Sequence, residues 1–514
     1  MSSIQMVAAE PRRQAGRART VVAASLAMLL VAVAAACVPP NPVPTPNPFG
    51  LRTVLGDGSI DLTWHEPAEG APAGYDVQVL VGAGTGGWQN LGSTEETSSS
   101  FTDVSNRERY SFRVRSAAGA GEPAGLWSPP VATIYVDLLL PVLRIDTQGD
   151  APILDKDNYV PGTVELDPNG TDFEPYSGTM GIRGRGNSTW TYIKKPYRMK
   201  LDTKSELMGM AAEKDWALLA NYVDRSQLRN WAAMQASEAT SLAYTPTIQH
   251  IEVVLNGQYQ GVYTITQHNE IGEDRINITE MEDTDNSGVE LTGGYRLEID
   301  ARLEENNEPG WRTPRGVPVV VKDPDPTTPQ QSSYIRNLVN AFESSMFASN
   351  FADPVNGFRK YLDMENFIDN YLVLELTRNQ DAFFSSTFFT KERGEDFFRF
   401  GPVWDFDNSM GNHLAVTDLP PEGWWARTRG PWMNRVFLDP TLHAEVAERW
   451  NDLKPAFEAI GDEMEALGNS LSPAIDNDAA KWRYERHETD APAAVDDWLD
   501  ARIAWLDAQF NPAP

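Results

Sequence analysis

The stretch from Glu375 to Asn412, ELTRNQDAFFSSTFFTKERGEDFFRFGPVWDFDNSMGN, limits what this chain can fold into more than any other, because it sets acidic residues at both ends of a hairpin pattern. Phe383, Phe384, Phe388 and Phe389 form one apolar run, Arg393-Gly394 is a turn signal, and Phe397 to Phe400 form a second run ending at Gly401-Pro402. A hairpin of this length folds Asp405 back toward Asp381. Carboxylates gathered at the ends of buried strands repel one another unless a cation or a shared proton lies between them, so Asp405 and Asp407 are expected to hold a divalent metal. The competing reading makes them solvated turn residues, common ahead of a glycine. Their order points to chemistry: in phosphoryl transfer one Asp takes the hydroxyl proton on a catalytic loop, and a second, after a short hairpin, holds magnesium. Asp381 followed by WDFD has that order.

A phosphate-bearing substrate needs cations, and this chain has few to spare: 43 Lys and Arg against 73 Asp and Glu give a formal charge of −30. Such a field repels polyanions, which excludes general binding of nucleic acid or of anionic membranes, so any phosphate site must be locally basic. One window is. Gly181 to Leu201, GIRGRGNSTWTYIKKPYRMKL, holds Arg183, Arg185, Lys194, Lys195, Arg198 and Lys200 with no acid among them. Gly181, Gly184 and Gly186 are expected to let the backbone approach a phosphate, although they do not form the usual glycine-rich loop of protein kinases. YRMKL reads as a strand whose period of two puts Arg198 and Lys200 on one face and Tyr197, Met199 and Leu201 on the other. Arg183, Arg185, Arg198 and Lys200 are the candidate phosphate ligands, with a solvated basic edge strand as the alternative. Lys194 and Lys195 read as surface charges.

Asp224 with Gln227 reads as the capping-box start of a helix bearing Leu228, Trp231 and Ala232, on which Glu238 is a candidate partner for Lys200. HIEVVLNGQYQGVYTIT, from His250 to Thr266, is a hairpin about an Asn-Gly turn. YRLEID, Tyr295 to Asp300, puts Glu298 and Asp300 on one strand face, as metal ligands, partners of Lys200 or partnered structural carboxylates. The region from Glu304 to Gln330 is polar and proline-rich and reads as a mobile insertion. Ile335, Leu338, Val339 and Phe342 mark one helix; Phe367, Tyr371 and Leu374 mark another that begins near Asp363 and delivers the chain to Asp381. From Leu442 onward, amphipathic helices with Trp450, Trp482, Trp498 and Trp505 read as packing elements.

At the other end, Arg12, Arg13, Arg17 and Arg19 precede an apolar run from Val21 to Ala36, the pattern of a signal peptide. Ala34-Ala35-Ala36-Cys37 resembles a bacterial lipobox, and Cys37, the single cysteine of the chain, is the expected lipidation site. PPNPVPTPNP then reads as an extended spacer. From Phe49 to Val136, Ile60, Leu62 and Trp64, then Tyr75, Val77 and Val79, then Tyr110, Phe112 and Val114 alternate with polar residues, as in a small antiparallel sandwich. IDLTWHEP, YDVQV, YSFRVRS and a late LWSPP resemble a fibronectin type III module, for which a spacer role is favoured over a binding one.

NQD, the aromatic strand with Lys391, and GPVWDFDNSMGN, together with RGRGNSTW, KKPYRMKLD, LLANYVDRSQLRN and NGQYQGVYTITQHNE upstream, resemble the spore-coat protein H (CotH) family of atypical secreted protein kinases. The resemblance runs from about Leu140 to the C-terminus. Combined with the signal pattern, the lipobox and the fibronectin-like sandwich, it implies a multidomain chain: a signal peptide (1–36), a lipidated cysteine with its linker (37–48), an all-β fibronectin type III-like sandwich (49–136), and an α+β, two-lobed, kinase-like domain (137–514). It also implies an ATP-dependent protein kinase, extracytoplasmic and held to the membrane through its lipid alone, that phosphorylates Ser/Thr hydroxyls of secreted or cell-surface proteins. ATP with Mg²⁺ or Mn²⁺ is the implied cofactor set. Asp381 is then the catalytic residue, Asp405 and Asp407 hold metal, and Lys200, Arg183, Arg185 and Arg198 bind the nucleotide; Gln267 to Glu270 would lie near its base. Ser386 stands where protein kinases place a metal-binding Asn, and Asn379 precedes the Asp instead. The alternative is a catalytically weak surface adhesin or wall-associated binding protein. No His pair has zinc-ligand spacing, and neither a nucleophile elbow nor a Walker A motif is present.

Overall fold

The computed structural model describes residues 45–70, 72–82, 86–119, 123–413 and 419–512. The signal-like run, Cys37 and most of the proline-rich linker lie outside the described residues. Among the described residues no helix is long and apolar enough to cross a membrane.

The alternating residues of the first region form seven strands: β1 (Phe49–Leu55), β2 (Ile60–His65), β3 (Tyr75–Val81), β4 (Gln89–Thr94), β5 (Ser98–Phe101), β6 (Arg109–Ser116) and β7 (Val131–Ile134). They pair as two antiparallel sheets, β1-β2-β5 and β4-β3-β6-β7, whose inward residues are those the period of two selects. Trp64 meets Tyr75 edge-on at 5.5 Å between ring centroids. This apolar core does not stop at the sandwich. Val142, Val254 and Tyr259 of the following region belong to it. Polar contacts fix the same junction: Leu55 N–H donates to the Gly257 carbonyl at 2.9 Å, Arg107 Nε to Asn477 Oδ1 at 2.9 Å, and Arg109 Nη2 to the Ala480 and Lys481 carbonyls at 2.8 Å. The sandwich is thus packed onto the rest of the chain as a fixed body rather than a detached bead.

A second β unit follows: β8 (Val142–Thr147), β9 (Val160–Asp167), β10 (Tyr176–Gly184), β11 (Tyr197–Leu207), β12 (Met210–Leu219), β13 (Ile248–Leu255) and β14 (Gln258–Gln267). Its strands close into a barrel in the order β10-β11-β12-β14-β13-β8-β9. Closure comes from β8, which pairs parallel with β13 on one side and antiparallel with β9 on the other. Met199, Leu201, Trp216, Leu218, Val253, Tyr263 and Ile265 fill the interior. The β13–β14 turn is Asn256-Gly257, both at positive φ, as a two-residue hairpin turn requires.

The remaining part is mixed. A five-stranded sheet runs β16-β17-β15-β18-β19, from β15 (Tyr295–Ile299), β16 (Gly310–Arg312), β17 (Pro318–Asp323), β18 (Thr387–Lys391) and β19 (Arg399–Phe400). Around it stand α1 (Arg229–Glu238), α2 (Pro329–Met346), α3 (Met364–Leu376), α4 (Gly430–Val436), the 41-residue α5 (Leu442–Trp482) and α6 (Pro492–Phe510). Asp363 caps α3 by accepting the Asn366 N–H.

Four expectations need correction. The polar 304–330 region is no loose insertion: Val319, Val320 and Val321 are buried in β17, and Pro318 is tolerated as the first residue of its strand. Asp224 is not the N-cap residue of α1, which is Leu228; it is fully buried, bonds Ser226 and the Arg229 side chain, and serves the helix start only by accepting the Arg229 backbone N–H at 3.0 Å. Glu238 is exposed at the end of α1, and the acid that pairs with Lys200 is Asp215. Lys194 is not a surface charge. It is 0 % exposed, 2.7 Å from Asp478 of α5, and donates to the Val262 carbonyl, because the chain entering β11 passes under α5.

Removing one member of a buried ion pair strands the other charge. Lys194→Ala is expected to cost about 3–5 kcal/mol in urea unfolding. Lys195→Ala, which loses a hydrogen bond to the Trp190 carbonyl, is expected to cost about 1 kcal/mol. Equal costs would mean that the Lys194–Asp478 pair is hydrated in solution.

Candidate active site

Between the barrel and the C-terminal part lies a cleft of about 1110 Å³. Arg183, Arg185, Arg198 and Lys200 line one wall, and Asp381, Asp405 and Asp407 the other. Residues nominated some two hundred positions apart in sequence therefore face a common space.

The basic wall follows from register. β10 and β11 pair Arg183 opposite Arg198 and Gly181 opposite Lys200, and period two turns Tyr197, Met199 and Leu201 into the barrel. Arg198 is the inner cation. It donates to Asp215 Oδ1 through Nε at 2.9 Å and Nη2 at 2.7 Å, and also bonds Glu270. Lys200 stands at the rim, its side chain 53 % exposed and its Nζ 3.7 Å from Asp215. The acids that answer Arg198 and Lys200 are thus Asp215 and Glu270. Arg183 and Arg185 differ: neither has a carboxylate within 4 Å among the described residues. Arg183 lies 5.0 Å from the Tyr159 ring centroid, and Arg185 lies 5.6 Å from that of Trp404. Burial lowers the Arg185 pKa to about 10, against the opposing charges of Asp405 and Asp407. The bare Cα of Gly184 serves packing rather than phosphate approach, since a Cβ there would fall 2.6 Å from the Trp190 ring.

The acidic wall is built by the 381–386 turn and the 405–408 turn. Asn379 joins them: its Oδ1 accepts the Asp381 N–H at 2.8 Å, and its Nδ2 donates to the Asp405 carbonyl at 3.2 Å. Ser386 Oγ donates to Asp405 Oδ2 at 3.0 Å. Ser386 and Asn379 therefore both hold Asp405, one at its carboxylate and one at its backbone. Phe383, Ser386 and Asp405 all lie at positive φ, between +50 and +70°. That conformation is costly for an aromatic residue, and the surrounding hydrogen bonds must enforce it. Phe389 stacked on Phe400 at 5.3 Å holds the hairpin that brings the two turns together.

Electrostatics make the cluster tense. Burial, and then the charge of Asp405, raises the Asp381 pKa to about 6, against the opposing pull of Arg302, Arg429 and a hydrogen bond from Asn408. Asp407 is pushed well above the ordinary carboxylate range by burial and by Asp405, Asp224 and Asp381. Such a set keeps a shared proton or takes up a cation. Among the described residues no three His, Cys, Asp or Glu side chains form a preformed cage. Two carboxylates beside an amide do suit magnesium, which keeps waters and substrate oxygens among its ligands. Asn408, not anticipated from the sequence, has a buried Oδ1 without a hydrogen-bond partner and lines the cleft beside the three acids. Its signal was its place directly after D-x-D.

The other acids anticipated here are already engaged. Glu298, raised to about 7 by burial, lies 3.4 Å from Lys322, and Asp300 accepts from Ser385 Oγ at 3.0 Å. Of the Gln267–Glu270 segment, Gln267 donates to the Ala211 carbonyl, and His268 is held neutral by burial and by Arg198, its pKa lowered to about 4.

With this geometry in hand, residues 182–506 match the family model described as CotH kinase protein. The match spans well over half of the sequence, and the chain belongs to that family. No curated protein matched. Among solved structures, the FN5 domain of Drosophila Lar aligns at 16 % identity and a TM-score of 0.16, over 18 % of this chain and 98 % of that one. Titin kinase and its flanking domains align at 13 % identity and a TM-score of 0.17, over 39 % and 43 %. Likenesses at this level carry no argument.

The raised pKa of Asp381 also has a stability signature. Folding disfavours its ionisation, so the penalty is absent below its ordinary value of 3.8, grows as pH rises toward about 6 and is constant above. In EDTA at pH 7.5, Asp381→Asn is expected to be more stable than wild type by up to about 3 kcal/mol, and the gap to shrink toward pH 4. Thermal unfolding at the two pH values measures it; a variant no more stable at either pH would show that like charge does not strain the cluster.

Proposed function

We propose that this chain is an extracytoplasmic, lipid-anchored kinase that transfers the γ-phosphoryl group of metal-bound ATP to Ser/Thr hydroxyls of secreted or cell-surface proteins. The observation that carries the reading is the facing of Arg185 and the Asp405–Asp407 pair across one cleft that also holds Asp381. In this reading the domain limits stand as 1–36 signal, 37–48 linker, 49–136 fibronectin type III-like sandwich and 137–514 kinase-like domain, and Cys37 bears the lipid. The two-sheet order of the sandwich supports the fibronectin type III assignment.

Asp405 and Asp407, with Asn408, are the residues that would hold the Mg²⁺ or Mn²⁺ accompanying ATP. When bound, the cation neutralises phosphate charge. Arg185 and Arg183 have no carboxylate to release and meet the phosphate oxygens directly, whereas Arg198 and Lys200 act from within their Asp215–Glu270 network. Asp381 accepts the hydrogen bond of the acceptor hydroxyl, orients its oxygen in line with the γ-phosphorus and takes the proton as the new O–P bond forms and the bond to ADP breaks. Its pKa of about 6 leaves it ionised yet basic near neutral pH.

The protein from Cys37 onward, incubated with labelled ATP, Mg²⁺ or Mn²⁺ and Ser-rich acceptors, is expected to incorporate label, and Asp381→Ala and Asp405→Ala to lower the rate at least about 100-fold. Absence of nucleotide binding by calorimetry would leave the adhesin reading in its place. Separately, Cys37→Ala is expected to move the protein from the membrane fraction to the soluble fraction; retention at the membrane would contradict the lipid anchor.

A further inference from the structure

The loop that carries Asp381 is gripped from two sides by arginines. Arg429, ahead of α4, donates through Nη2 to the Gln380 carbonyl at 2.9 Å, and its guanidinium lies 3.8 Å from the Trp425 ring centroid. Trp425 is itself fixed, its indole N–H donating to the Asn379 carbonyl at 2.7 Å. Arg302, beyond β15, comes from another element and places Nη1 3.5 Å from Ser385 Oγ. Both therefore touch residues within four positions of Asp381, one before it and one after. Neither has a carboxylate within 4 Å among the described residues, in a chain where acids outnumber cations 73 to 43. Asp300, the acid nearest Arg302 in sequence, is occupied: its Oδ1 accepts from Ser385 Oγ and from the Arg302 backbone N–H. Arg429 keeps a buried Nε with no partner. The same loop exposes Phe384, 51 % accessible.

These arginines are not the nucleotide's. Its cations, Arg183 and Arg185, come from β10 and the residue just beyond it on the barrel wall, whereas Arg302 and Arg429 belong to the wall that bears Asp381. Arg302 lines the cleft with Asp381, and the charges of both arginines reach its carboxylate, so an acceptor hydroxyl brought to Asp381 enters the field of both. Resting on the kinase reading above, we infer that Arg302 and Arg429 form an anion subsite for the acceptor, with Phe384 as its apolar floor, so that the preferred Ser or Thr is flanked by a carboxylate or a phosphate monoester. An acidic side chain and a previously phosphorylated serine present the same chemistry, and guanidinium groups bind either in charge-assisted, two-pronged fashion.

The test uses the chain from Cys37 onward and four peptides that differ only beside the acceptor serine: Glu, phosphoserine, Ala or Lys. For wild type, kcat/KM for the Glu or phosphoserine peptide is expected to exceed that for the Ala peptide at least about 10-fold, mostly through KM. The Lys peptide is expected to be the poorest. Arg302→Gln and Arg429→Gln are expected to bring the ratio to the Ala peptide near one, and Arg429→Lys to restore part of it. A gain confined to phosphoserine assigns the subsite to a primed acceptor, and a gain shared with Glu to acidic sequence in general; both support the inference. It is overturned if wild type phosphorylates all four peptides alike or prefers Lys, or if the Gln variants slow every peptide by the same factor, as a role limited to supporting Asp381 would do. Failure of wild type to bind ATP would instead remove the kinase reading beneath it.

Discussion

Three carboxylates crowded into one cleft govern this molecule. Asp381, Asp405 and Asp407 are drawn together in one cleft, and burial and mutual repulsion push the first and last toward protonation. Left to themselves they would separate, since nothing in the hairpin pattern compels acids to converge. The surrounding fold holds them in place, and its cost is visible in the left-handed backbone at Phe383, Ser386 and Asp405. A site strained in this way gains from whatever relieves it, a shared proton or a bound cation.

What restrains the acids is a set of neutral and ionic contacts arranged behind them. Asn379 ties the two turns through backbone atoms, and Trp425 closes over the Asn379 carbonyl. Glu375, at the end of α3 and 0 % exposed, accepts the Trp425 and Arg427 N–H groups and pairs with Arg502 at 2.7 Å. The barrel is restrained in parallel by Lys194 and Asp478. Each wall of the cleft is thus anchored by a buried ion pair to one of the two last helices.

Much of this was legible because it is local. The sandwich strands, the Asn-Gly hairpin, the start of α3 near Asp363 and the alternation of Arg198 and Lys200 all follow from periodicity and turn chemistry within a few residues. The return of Asp405 toward Asp381 was legible for the same reason, through a short aromatic hairpin. Three features were not. Barrel closure depends on β8 finding β13, a parallel pairing that leaves no periodic trace. Lys194 looked solvated because its partner Asp478 lies far downstream in sequence. The valines of β17 were outweighed by the prolines and charges around them. In the site itself, residue types announced Asp381, Asp405 and the basic window, whereas the division of labour among the cations depended on Asp215, which no motif flagged, and on Glu270, expected only near the nucleotide base.

The closing helix of the chain is more than a cover. Arg502 of α6 reaches Glu375 across 127 positions of sequence and also bonds the Pro421 and Gly423 carbonyls, so one guanidinium clasps both the end of α3 and the segment leading to Arg429. The geometry of the acidic loop is therefore completed only when the final helix has docked. A substitution in α6 can therefore disturb an acidic loop that the helix itself does not line.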